Sequence, residues 1–113
     1  MKQPIEVSKL YDTGRCMEVA KELGGDIHCG TMSLPNEWVA EYQGEVIGNF
    51  PIADNPKLRC VTGCATDLEQ IKIINDLRRQ NIEIVHSLLF LVAQRAGHKV
   101  DSVNKLIYPK EEE

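Results

Sequence analysis

Four cysteines and three histidines are the side chains here whose types could support chemistry beyond packing. Zinc takes four thiolate or imidazole ligands in a tetrahedron, and structural sites draw two of them from one tight Cys-x2–4-Cys turn. Cys60-Val-Thr-Gly-Cys64 has that spacing at its loose end, and Gly63 allows the turn. The second pair is missing. Cys16 and Cys29 stand with twelve residues between them, and Cys16 falls on the apolar face of a helical segment. Free cysteine is among the most buried residue types, which is the plainer reading of Cys16, Cys29 and Cys60. A zinc-stabilised cysteine module, with His28 as a further ligand, is therefore an alternative and not the leading reading; no cofactor is expected.

Cys64 is the candidate for a reactive thiol, because it lies just before a helix start where the dipole favours thiolate. A cysteine mechanism needs a histidine base and a group to orient it. His86 lies about five helical turns, roughly 30 Å, along the same helix and cannot reach Cys64. His28 and His98 carry no supporting motif. The Val61-Thr62-Gly63-Cys64 stretch could offer free amides to a phosphate. It lacks the glycines and the Lys-Ser/Thr pair of a phosphate loop, and Asp67 and Glu69 would repel the anion. A small enzyme or small-molecule binder using Cys64 is the second alternative. Lys72, Arg78 and Arg79 alternate with Asp76 and Glu83, a mixed-charge solvated face and not a nucleic-acid stripe.

These residues hang on one dominant element, a helix expected over 66–97. Thr66 and Glu69 form a capping box, and Asp67 and Glu69 suit the positive end of the dipole. Gly97 supplies the left-handed residue that ends a helix. Two apolar stripes run along it at steps of three and four. One is Leu68, Ile71, Asn75, Arg78, Ile82, Val85, Leu89, Val92 and Ala96. The other is Ile74, Leu77, Asn81, Ile84, Leu88 and Leu91. Both turn polar near the middle, and residues 82–93 are apolar over most of the circumference.

A helix of that length runs to roughly 45 Å, against a diameter of about 30–35 Å for a compact domain of this size. The overhang must pack on another chain, or the helix must bend between residues 78 and 81. An Asn in a coiled-coil seam costs stability but fixes register. Asn75, Arg78, Asn81, Ile82, Val85 and Leu89 are accordingly the expected oligomer seam. The competing reading places the same residues against the chain's own sheet.

Around that helix the chain reads as α+β. Thr13 to Leu23 forms a short amphipathic helix capped by Asp12 or Thr13 and stopped by Gly24-Gly25. A strand follows around Ile27 and Cys29. The hairpin EWVAEY-QGE-VIGNF is expected to turn on a three-residue loop, Gln43-Gly44-Glu45. Tyr42 then faces Val46, Ala40 faces Gly48 and Trp38 faces Phe50, which gathers all three aromatics on one side. Residues 57–61 are a further strand candidate. The segment 98–108 fits either a helix or a short strand, and residues 5–10 either a strand or a helix approach. The fold expected is one α+β domain over 1–113. Residues 1–65 hold the short helix and an antiparallel sheet of three or four strands, 66–97 the long helix and 98–113 an extension.

The net charge of −4 and pI near 5.4 exclude direct gripping of nucleic-acid phosphates as the expected mode. No stretch reaches the roughly eighteen apolar residues of a bilayer span, and MKQPIEV has no signal-peptide core. A cytoplasmic protein with reduced thiols is the resulting expectation. The functional expectation is a small non-enzymatic protein that forms a homo-oligomer, a dimer first, through the long helix and binds a protein partner. Regulators and inhibitors, phage-encoded ones among them, share this build by analogy of size alone.

Overall fold

The computed structural model describes residues 3–57 and 68–110. Strand β1 (Ile5–Glu6) leads into a tight helical turn over Val7–Lys9, and α1 occupies Thr13–Glu22. Asp12 caps α1 by accepting the Gly14 N–H at 3.0 Å. Strands β2 (Gly25–Cys29), β3 (Glu37–Tyr42) and β4 (Glu45–Pro51) form an antiparallel sheet in that order. Helix α2 runs unbroken over Leu68–Arg95, and Gly97 leaves it at φ +97°. The capping box at Thr66, Cys60, Cys64 and most of the 57–61 strand candidate lie outside the described residues.

Where one sheet was expected, there are two. Strands β5 (Val100–Asp101) and β6 (Leu106–Ile107) join β1 in the order β1-β6-β5. The strand reading of 98–108 holds because the Asp101 carboxylate accepts the amides of Val103 and Asn104, which ties a turn where a helix would have run on.

The hairpin departs from expectation at its tip. Gln43 and Gly44 sit at φ +54° and +82°, so the loop has two residues, Tyr42 pairs with Glu45 and Glu41 pairs with Val46. A bulge then leaves Ile47 unpaired, after which Ala40 faces Gly48 and Trp38 faces Phe50 as expected. A primed turn suits the strand twist, and the extra residue restores the buried alternation. Val46 is therefore turned outward, 49 % exposed, whereas Ile47 packs against the core.

Helix α2 lies across this sheet, and two glycines set how closely. A Cβ on Gly48 would stand 2.6 Å from Leu91 Cδ1, and one on Gly25 would stand 2.6 Å from Val92 Cγ1 and 2.9 Å from the Glu41 carbonyl. Helix α1 covers the neighbouring side of α2, with Cys16, Val19 and Ala20 in the same core as Val85, Leu89 and Val92. His86 is buried in this layer. Its Nε2 lies 2.8 Å from the Leu10 carbonyl, so that nitrogen carries the donated proton, while Nδ1 is buried without a partner.

The packing has two measurable consequences. Gly25→Ala meets backbone as well as side chain, and overpacking of that kind lowers unfolding free energy by about 1–3 kcal/mol, to be read by urea titration. Burial holds the His86 imidazole below the ordinary histidine range, with Lys105 adding to this and the Leu10 bond and Glu83 opposing it. The folded chain thus binds fewer protons at this site than the unfolded chain. Its stability contribution is full above the unfolded value of about 6.5 and declines as pH falls below it. In melts between pH 8 and 5, His86→Gln, which can still donate to Leu10, should show a flatter decline than the parent.

Candidate functional site

Helical spacing puts Leu68, Ile71, Asn75, Arg78, Ile82, Val85, Leu89, Val92 and Ala96 on one face of α2. The structure divides that face at Ile82. Beyond it, Val85, Leu89 and Val92 are 0 % exposed, beneath α1 and the N-terminal segment. Before it, Leu68 is 67 % and Ile71 39 % exposed, Asn75 and Arg78 are exposed, and Ile82 is half-buried. The cause is length. The ten residues of α1 extend about 15 Å, whereas the 28 of α2 extend about 42 Å. Among the described residues, no element covers the face from Leu68 to Arg78.

On a second face of α2, Asn81 and Gln70 hold the strap formed by residues 52–57. The Asn81 side chain accepts the Ala53 N–H at 2.8 Å and the Trp38 indole N–H at 3.1 Å, and its amide donates to the Ala53 carbonyl at 3.4 Å. Farther along, Gln70 donates to the Lys57 carbonyl at 3.1 Å. The strap therefore lies along the helix roughly a third of a turn from the bare stripe.

The six residues expected to form a seam do not share one open surface. Val85 and Leu89 are core residues of the single chain, because α1 already covers them. Asn81 is engaged within its own chain. Asn75 and Arg78 lie on the bare stretch, and Ile82 sits at its edge. The residues the seam omitted are Leu68 and Ile71, although the stripe itself contained them. At the junction, Tyr11, Asp12, Thr13, Trp38, Arg78, Asn81 and Ile82 line a notch of about 270 Å³, with Tyr11 79 % exposed.

The catalytic and metal alternatives gain little from the described residues. No cluster of three or more His, Cys, Asp or Glu able to hold a metal occurs among them. Burial, with the Asp12 charge, pushes the Cys16 thiol up to about 11, so it stays protonated and unreactive. Cys29 is exposed at the end of β2. His28 Nε2 lies 2.9 Å from Glu41 Oε2 on the sheet, a close approach without hydrogen-bond alignment. An open depression of about 870 Å³ is lined by Pro4, Ala96, Gly97, Lys99, Tyr108, Pro109 and Lys110, with no nucleophile–base pair. No protein family, curated protein or solved structure matches this chain.

Asn81→Ala would leave the Trp38 and Ala53 donors without their acceptor at a part-buried site. The loss should be about 1–3 kcal/mol, accompanied by a changed emission spectrum of the single tryptophan.

Proposed function

We propose that this chain is a non-catalytic binding protein that works by association, with the bare half of α2 as its contact surface. One observation carries the reading: a single continuous stripe is sealed from Val85 onward, yet open at Leu68 and Ile71. At about 42 Å, α2 exceeds the two shorter dimensions of the 56 × 30 × 20 Å body and so runs along its length. The notch beside Tyr11 and Ile82 offers a seat for one large anchoring side chain, the kind of contact that dominates interface energetics. A regulator or inhibitor acting on another macromolecule is the role this surface supports, and self-association through it is the first form to be tested. The acidic charge balance favours a protein partner over nucleic acid.

Leu68→Glu/Ile71→Glu tests it. Both side chains are exposed, so the urea midpoint should stay within about 0.5 kcal/mol of the parent. Association should fall at least about tenfold, since replacing an apolar anchor at an interface centre costs more than about 1 kcal/mol. It is read as molar mass above 12.7 kDa, or as a defined complex reconstituted with a chain captured from source-cell extract. A variant that associates as tightly as the parent removes the surface from consideration.

A further inference from the structure

His86 stands where the face of α2 goes under cover. Ile82, His86, Leu89 and Ala93 follow one another at steps of four, three and four, in line with the bare stretch before them. His86 is 5 % exposed. Its polar neighbours outside α2 are the Leu10 carbonyl, the Cys16 thiol that lies 4.0 Å from that carbonyl, and Lys105. Leu10 and Lys105 flank the β1-β6-β5 sheet, whose strands have two residues each. One further bond fastens them, from the Val7 N–H to the Lys105 carbonyl at 2.9 Å. The β2-β3-β4 sheet has strands of five to seven residues. Local opening begins where hydrogen bonds and buried contacts are fewest, which is the small sheet.

We infer that the small sheet is an acid-released clasp: a proton on His86 frees residues 5–10 and 100–107 from α2 while the larger sheet stays folded. The ring already donates its Nε2 hydrogen to Leu10, so an added proton goes to Nδ1, which is buried with no acceptor. The new cation also faces Lys105, half-buried and without an ion-pair partner among the described residues. Glu83 of α2 is the anion near it, but that side chain is exposed and screened by solvent. Cys16 stays a neutral thiol. Opening hydrates Nδ1 and parts the two cations. The open form takes up its proton at the ordinary histidine value of about 6.5, and the closed form only below it. The open fraction therefore rises as pH falls through that value, by at most about tenfold per pH unit. Opening also bares His86 and Ala93, so, on the reading of α2 as a contact surface, acid lengthens that surface by about two turns.

Amide exchange followed by NMR in the whole chain tests the clasp without reference to association. The Val7, Leu10 and Tyr108 amides donate to Lys105, Val7 and Lys99. Corrected for intrinsic rates, their protection should fall about three- to tenfold between roughly pH 7.5 and pH 5.5. At the lower pH, about 1 M urea should leave these three rates unchanged, the mark of a small opening, while it speeds exchange in β3. His86→Gln should abolish the pH dependence at the three amides, and Lys105→Gln should reduce it. Should His86→Gln not fold, the urea comparison in the parent and in Lys105→Gln decides. If the three amides follow β3 in urea, the small sheet opens only with the whole fold and the clasp does not exist. If their protection is flat with pH, or still falls in a folded His86→Gln, this histidine does not operate it. Each of these results leaves the proposed contact surface on the bare half of α2 standing.

Discussion

The side-chain amide of Asn81 marks where, among the described residues, α1 and the sheet stop covering the long helix. One oxygen receives the indole of Trp38 on β3 and the backbone of Ala53 in the strap, so sheet, strap and helix are pinned at one level of α2. Helix α1 begins at that same level, as the shared notch of Thr13, Asn81 and Ile82 shows. On the C-terminal side of this point α2 has sheet on one face and α1 on the next, and its apolar residues there are largely buried. On the N-terminal side the strap is the one element among the described residues that packs on it. A part-buried polar group with every strong bond satisfied holds a unique arrangement, because any slide of the helix would leave donors unpaired.

Much of the architecture is legible in local signals. Asp12, Gly24-Gly25 and Gly97 set the ends of the helices, and the apolar periodicities give both helices and the hairpin. The tip of the hairpin is harder to read because two registers compete there. A two-residue turn suits Gln43-Gly44, the aromatic pairing of Trp38 with Phe50 suits a slip of one residue, and the bulge at Ile47 satisfies both. No pattern in a single strand announces that solution. The second sheet escapes sequence reading for a related reason, since two-residue strands such as β1 and β6 exist only through pairing between distant ends of the chain.

The candidate surface is legible in kind but not in position. A stripe at steps of three and four looks the same whether the chain's own elements cover it or not. Its coverage depends on where α1 docks, which follows from the close approach of Gly25 to Val92 and the hydrogen bond from His86 to Leu10. Both are long-range consequences of the fold. Reading Asn81 as a seam residue follows from its place on the helix, and only the three-dimensional neighbourhood shows its amide already in use. Val85 and Leu89 move from seam to core on the same ground.

The bare half of α2 must also account for its own persistence as helix. An isolated helix of about fifteen residues is marginal in water, because nucleation is unfavourable and propagation gains little per residue. Here the buried half beyond Asn81 supplies the nucleus, so the exposed turns need only propagate. Pairs on their surface assist, with Asp76 accepting from both Arg79 and Gln80, and the strap bonds Gln70. Exposed pairs of this kind contribute only tenths of a kcal/mol each. Such a segment is ordered enough to present Leu68, Ile71, Lys72 and Arg78 in fixed relation, yet its apolar side stays hydrated. A partner that buried the stripe would gain that desolvation without first having to order the helix, which is where a preformed surface differs from a chain that folds on binding.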